Sequence, residues 1–286
     1  MGYSTPAKTE KLASIHRMMI QGPSDSGKTS AVCRTWPQSP ERKLYILEAP
    51  GERGDATIPR DHPSIAPYLW TADPMAKLSS SAVIQAVETV VWEILGEKYG
   101  AVESFCFDGF HKHYDYILDD SSNGQLFRGE KIGDPADPYV AASIYNRARK
   151  RASQFVQKVN ASPVPNIVWT CWDGREADDP SKGFKGQSHI YPNLPGAAAK
   201  EFMGEFGLVV HSRILWGQRD PAYLKTAPGR RIAKWQIQPD GDVWGASVKA
   251  PLEVIDRLPM YCEQSYPVLA TILADAWAAS RAEGKK

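Results

Sequence analysis

The stretch GPSDSGKTS, Gly22 to Ser30, narrows the folds open to this chain more than any other segment. It lies between the apolar runs Met18-Met19-Ile20 and Ala31-Val32-Cys33. Gly22-x-x-x-x-Gly27-Lys28-Thr29 matches in full the spacing of a phosphate-binding loop. Its glycines let backbone N–H groups curl around a phosphate, and the positive end of the following helix favours the anion. His16 to Gln21 reads as a buried strand and Lys28 to Trp36 as a helix, the context such a loop requires. The expected nucleotide contacts are Gly22, Pro23, Ser24, Asp25, Ser26, Gly27, Lys28, Thr29 and Ser30. Lys28 would bridge the β- and γ-phosphate oxygens, and Thr29 would supply a magnesium ligand. The implied cofactors are ATP and Mg2+.

A loop of this kind needs a large domain around it. The 286 residues, 42% of them hydrophobic, suffice for one large α/β domain or two small ones. Lys and Arg total 34 against 33 Asp and Glu, a formal charge of +1, so no overall field draws the chain to nucleic acid or membrane. Any DNA contact must be local. Cys33, Cys106, Cys171 and Cys262 lack paired metal or redox spacing and read as buried free thiols. The N-terminal MGYSTPAKTEKLASIH has no signal-peptide core, and no apolar run approaches the roughly 20 residues that span a bilayer. A soluble protein in a reducing cytoplasm, with no membrane partner, is expected.

Strands and helices alternate along the chain. Leu44 to Leu47 reads as a strand closed by Glu48-Ala49-Pro50-Gly51, and the Pro-, Gly- and charge-rich stretch to about Pro74 as an irregular surface excursion. A helix capped at Ser79, Ser80 or Ser81 runs to about Lys98, with Val83, Val87, Val90, Val91, Ile94 and Leu95 at helical spacing. Further strands are expected at Ser104–Asp108, Asn166–Trp172 and Leu208–Leu215, with helices from Pro138 to about Asn160, Pro195 to Phe206 and Tyr266 to Arg281. Arg231–Gln238 and Val243–Val248 flank Pro239-Asp240-Gly241-Asp242 and read as a hairpin. The alternation predicts an α/β fold: a mostly parallel, doubly wound sheet flanked by helices, with a C-terminal antiparallel β ribbon. The expected divisions are a polar segment 1–14, a core 15–250 and a helical extension 251–286.

Chemistry at the loop needs acids from other strands. Asp108, ending Phe105-Cys106-Phe107, is the expected second holder of magnesium, alongside Thr29. Residue 109 is Gly, so the Asp-Glu pair of many helicases and packaging motors is missing. Glu48, at the end of the second strand, is the candidate to orient an attacking water, with Glu52 as the alternative and Asp55 behind both. Thr170, late in a central strand, could sense the γ-phosphate or be simply strand-forming.

In GPSDSGKT, YILEAPGE, SFCFDGF and the segment CWDGREADDPSKGFKGQSHIYPNLPGAAAKEFMGEFGLVVHSRI, the chain resembles RecA-like P-loop ATPases over about Ile15 to Val248. It is most similar to compact phage-encoded ones associated with single-strand annealing recombination. The resemblance implies that the loop after the strand 166–172 contacts single-stranded DNA through Arg175, Lys182, Phe184 and Lys185, basic groups with an aromatic among them. Glu176, Asp178 and Asp179 in the same loop leave a purely solvated loop as the alternative. The resemblance also implies that Arg230, Arg231 and Lys234 on the late ribbon reach a neighbouring subunit's nucleotide, Lys234 in the manner of an arginine finger. A solvent-facing basic edge is the other reading. This chain departs from the pattern at Ala49, where the RecA-type glutamate is expected one place after Glu48.

The implied function is magnesium-dependent ATP binding and hydrolysis by a homo-oligomer on single-stranded DNA, with phage recombination or replication proteins as partners in the cytoplasm of a bacterial host. Two rivals stand beside it. One is a P-loop kinase whose lid uses Arg147, Arg149 and Arg151, and the other a nucleotide-binding structural or assembly protein with little turnover. A packaging motor is disfavoured by Gly109 and by the roughly 40 residues after Val248, too few for a nuclease domain.

Overall fold

The computed structural model describes residues 16–52, 58, 65–68, 78–122, 138–176, 188–195, 197–216, 231–238, 243–244 and 246–283. Among these residues eleven strands form the sheet: β1 Arg17–Gly22, β2 Lys43–Glu48, β3 Ile65–Tyr68, β4 Val102–Asp108, β5 Asn166–Glu176, β6 Ser188–Pro192, β7 Leu208–Trp216, β8 Arg231–Gln236, β9 Val243–Trp244, β10 Ser247–Val248 and β11 Tyr261–Glu263. The helices are α1 Lys28–Thr35, α2 Ser80–Leu95, α3 Phe110–Ser122, α4 Pro138–Asn160, α5 Ala197–Gly204, α6 Leu252–Ile255 and α7 Tyr266–Glu283.

The main path of the sheet runs β11-β8-β7-β1-β5-β4-β2-β3. From β7 to β3 every neighbouring pair is parallel. Parallel strands need crossovers and are covered on both faces, which is why the middles of β1, β2 and β4 are apolar. Alternation then splits the core in two. Met19, Tyr45, Leu47, Phe105, Phe107, Ile167, Trp169 and Val209 face the layer formed by α2, α3, α4 and α5. Met18, Ile20, Leu44, Ile46, Cys106, Val168, Leu208 and Val210 face α1 and α7. The first layer carries an aromatic block: Phe107 stacks on Trp169 at 5.1 Å and Phe110 on Phe202 at 4.4 Å. Helix α2 begins where Ser79 accepts the Ala82 N–H at 3.3 Å, the cap expected from its sequence. All four cysteines are free and buried, and no helix among the described residues is long and apolar enough to cross a membrane.

The structure corrects four expectations. The excursion 51–74 contains β3, which pairs parallel with β2 at the end of the main path; its Pro67 is tolerated there because an edge strand can spare one donor. Helix α3, absent from the sequence reading, starts directly after Gly109. Among the described residues β8 pairs with neither β9 nor β10, as the expected hairpin would require. β8 pairs antiparallel with β7 over His211–Trp216, whereas β10 takes the same edge of β7 at Leu208–Val209. The two strands therefore lie end to end on one edge, and a hairpin needs them side by side. The antiparallel partners of β8 are instead β7 and β11. Finally, 251–286 is more than a helical extension: β11 joins the sheet, and Val254, Leu258, Cys262, Leu269, Leu273 and Ala276 build the core against α1. The polar segment 1–14 lies outside the described residues.

Candidate functional site

Strand β1 runs in the centre of the parallel array, with β5 on one side and β7 on the other, and hands the chain to the loop at Gly22. A side chain there would place its Cβ 2.5 Å from the Ser212 carbonyl oxygen on β7, so only glycine fits. The loop turns through left-handed conformations at Asp25 (φ 58°) and Gly27 (φ 84°). From outside, the Ser26 carbonyl accepts hydrogen bonds from Ser212 Oγ at 2.8 Å and Gln264 Nε2 at 2.9 Å. Gln264 lies between β11 and α7, so the C-terminal segment pins the loop directly. Lys28 is buried, and its Nζ donates to the carbonyls of Gly22 at 2.9 Å and Pro23 at 2.8 Å. Burial pushes its pKa down, with Asp108 foremost among the groups pulling it back up.

Asp108 ends β4 at 2% exposure. Thr29 Oγ1 donates to its two carboxylate oxygens at 2.8 and 3.0 Å, and Thr170 Oγ1 donates to Oδ1. Thr170 in turn accepts the Gly109 N–H at 2.9 Å. Burial raises the Asp108 pKa, while the Thr170 and Thr29 hydrogen bonds and Lys28 oppose that rise. Thr170, read from sequence as a possible γ-phosphate sensor, is 1% exposed and instead braces Asp108 and the turn after it. Among the described residues no group of three or more His, Cys, Asp or Glu could hold a metal. Magnesium bound to a nucleotide asks the protein for one or two oxygens, while phosphates and water complete the shell. The Thr29 hydroxyl and Asp108 carboxylate, already in contact at the loop, fit that role.

The cleft over the loop is lined by Ser24 to Ser30 together with Glu52, Asp108 and Trp172. Glu48, the sequence candidate for orienting water, does not line it. It is 5% exposed and pairs in register with Asp108, so its side chain leaves the sheet on the same face, one strand further out. Glu52, the alternative, does line it. Its Oε2 would stand 2.8 Å from a Cβ at residue 109, where the backbone also has φ 80°. Gly109 is therefore required, and the turn after β2 sets a second carboxylate beside Asp108 in space. The Glu52 carboxyl is raised above its ordinary range first by burial and next by the Asp108 charge, with Lys28, the Trp172 indole and Lys112 opposing.

Behind Glu52 stands His111, 2% exposed, in the first turn of α3. Its ring stacks on Trp172 at 4.6 Å, and Lys112 Nζ sits 5.1 Å from the Trp172 ring. Neither His111 nor Trp172 was singled out from sequence for the site; the only signal was position, one just after Asp108-Gly109 and the other in β5 beside the loop-bearing strand. Gln264 and Ser212 carried no sequence signal at all, being distant in the chain.

The remaining candidates lie elsewhere. Lys234 sits on β8 in register with Arg213 on β7 and Glu263 on β11, and the neighbouring Ala233 methyl lies 3.9 Å from where a Gly27 Cβ would be. This edge passes the loop of its own chain. Arg175 is in β5, but its side chain, like the whole of Lys182, Phe184 and Lys185, lies outside the described residues, as do Asp55 and Arg230 and the side chain of Arg231. Arg149 and Arg151 are engaged in ion pairs with Glu201 at 2.8 Å and Asp120 at 2.7 Å that tie α4 to α5 and α3.

No family model matches the chain, and no curated protein matches it. Among solved structures it is similar to a prototypical ATPase from the type III secretion system of pathogenic bacteria: 16% identity, TM-score 0.41, covering 75% of this chain and 55% of that one. It is also similar to the assembled ATPase EscN in complex with its central stalk EscO from enteropathogenic E. coli: 15% identity, TM-score 0.37, 70% and 42% coverage. A third is the flagellar accessory protein FlaH from Methanocaldococcus jannaschii: 8% identity, TM-score 0.35, 77% and 76% coverage. The chain spans about half the length of the first of these.

Proposed function

We propose that this chain is a magnesium-dependent ATPase of RecA-like type that works as a homo-oligomer on single-stranded DNA in phage recombination or replication. The observation that carries the hydrolytic part is convergence: Lys28, Thr29, Asp108 and Glu52, from three separate segments, meet around one cleft. Lys28 exchanges the Gly22 and Pro23 carbonyls for the β- and γ-phosphate oxygens and offsets the charge of the in-line transition state. Thr29 and Asp108 hold magnesium, which when bound neutralises part of the phosphate charge. Glu52, the carboxylate with raised proton affinity that lines the cleft, orients the attacking water. The single-stranded DNA reading rests on the loop carrying Arg175, Lys182, Phe184 and Lys185, whose basic and aromatic residues suit backbone contact and base stacking. Lys234 is the residue proposed to reach the nucleotide of a neighbouring copy.

The test is steady-state ATP hydrolysis by the purified chain with magnesium, with and without single-stranded DNA, beside Lys28→Ala. Turnover stimulated by DNA and reduced at least about 100-fold by the substitution is expected. Tight ATP binding with background hydrolysis in both conditions would instead make the chain a nucleotide-binding assembly protein.

A further inference from the structure

Glu52 Oε2 and His111 Nε2 face each other at 3.4 Å. Both atoms are buried, and neither forms a hydrogen bond among the described residues. The opposite ring nitrogen is committed: the Trp172 backbone N–H points at His111 Nδ1 at 3.4 Å, which makes Nδ1 an acceptor. A neutral imidazole has one acceptor and one donor nitrogen, so its proton resides on Nε2, the nitrogen that faces the carboxylate. Stacking on Trp172 at 4.6 Å, with the ring planes 27° apart, fixes the plane in which that proton lies. Burial, with Lys112 and Lys28 adding to it, takes the His111 pKa down to about 3, so the ring stays neutral over the working range.

The geometry points to His111 as a positioning residue: a neutral imidazole, locked as the Nε2–H tautomer by the backbone of β5, that aims the Glu52 carboxylate into the cleft. This rests on the reading of Glu52 as the water-orienting group. Three elements meet at the device: the turn after β2 carries Glu52, β5 sets the tautomer through Trp172, and α3 carries the ring. Gly109 supplies the clearance, since its missing Cβ is what lets Glu52 lie between Asp108 and His111. A carboxylate that takes the Trp172 indole hydrogen bond and has a fixed N–H beside its Oε2 is held at a defined angle. Angular control of this kind has a large effect on a step in which a misplacement of about 1 Å costs roughly 100-fold.

Two substitutions separate the two halves of the imidazole. Asn at 111 offers its Oδ1 near the Nδ1 position and keeps an acceptor for the Trp172 N–H, but it is too short to reach Glu52. Gln carries a donor out to about the Nε2 position. For H111N, kcat is expected to fall about 100-fold, while affinity for magnesium and a non-hydrolysable ATP analogue stays within about twofold; H111Q should recover at least about tenfold of the loss. A readout independent of turnover comes from the imidazole itself, in long-range 1H–15N spectra of the full-length, histidine-labelled chain, assigned with H111N. Nδ1 of His111 should appear as the unprotonated acceptor and Nε2 as protonated at neutral pH, and E52Q should move the Nε2 resonance.

The reverse tautomer, or an Nε2 resonance indifferent to E52Q, overturns the inference whether or not the chain hydrolyses ATP. If the wild-type chain hydrolyses ATP and H111N matches its kcat, the inference fails alone and the ATPase reading stands. If the wild-type chain binds the analogue but does not turn over ATP, the ATPase reading fails, and the spectra still decide how Glu52 is held.

Discussion

The turn after β4 and the turn after β2 each deliver one carboxylate to the cleft, and they hold it in different ways. Asp108 is the last residue of a central strand and is tied by two threonine hydroxyls, one from the helix that opens at the loop and one from β5. Glu52 comes four residues after its strand has ended, and what places it is a missing Cβ at Gly109, a hydrogen bond from the Trp172 indole and the Nε2 edge of His111. Burial raises the pKa of both carboxyls, and at Asp108 the leading opposition is the pair of threonine hydrogen bonds. The difference matches the tasks proposed for them. A group that holds a metal needs a fixed charge, whereas one that handles water gains from proton affinity closer to that of its partner.

Removing the function of the less tethered carboxylate should have the largest effect. Glu52→Gln is expected to lower kcat by roughly 10²- to 10⁴-fold with little change in nucleotide affinity. Its effect on stability should run the other way. A carboxyl whose folded pKa lies above its ordinary value of 4.5 destabilises the fold at pH values above that raised pKa, and the penalty is absent below the ordinary value. The variant should therefore melt a few degrees higher than wild type at pH 7, with the gap closing near pH 4. A gap that persists unchanged at pH 4 would mean that the carboxyl charge is not its source.

Gly109→Ala tests the room itself. The new methyl would collide with Glu52 at 2.8 Å in a backbone conformation of φ 80°. A loss of about 100-fold in kcat, with about 1–2 kcal/mol of stability, is expected from steady-state kinetics and urea melts. Activity within a few-fold of wild type would show that Glu52 is seated by something other than that clearance.

The smallest change is expected on the braced side. Thr170→Val leaves the Gly109 N–H without its acceptor and Asp108 Oδ1 with the Thr29 hydroxyl alone, at a cost of about 1–3 kcal/mol. Thr29 still holds Asp108, so kcat should stay within a few-fold while the melting temperature drops. If turnover falls as far as in Gly109→Ala, the two turns are not held differently after all.

Much of this arrangement could be read along the chain. The spacing of Gly22, Gly27, Lys28 and Thr29 placed the loop, and the apolar runs placed five central strands, because buried parallel strands must be apolar on both faces. Asp108 was legible as the acid at the end of such a run. The mispairings arose where signals are local but partners are not: Pro239-Asp240-Gly241-Asp242 looks like a hairpin turn, yet β10 and β8 compete for one edge of β7 and settle end to end. Likewise Pro and charge around β3 hid an edge strand that needs only one neighbour.

The sequence by itself determined that a loop with the spacing of a phosphate-binding loop opens a helix inside an α/β sheet, since backbone geometry and helix dipole follow from nine contiguous residues. Only the tertiary structure decided which glutamate faces that loop, what Gly109 is for, and that Gln264, more than 230 positions away in the chain, pins the Ser26 carbonyl. Those outcomes depend on clearances of a few tenths of an ångström between segments that share no local pattern. Such clearances are set when the sheet closes, not by the order of residues along any one strand.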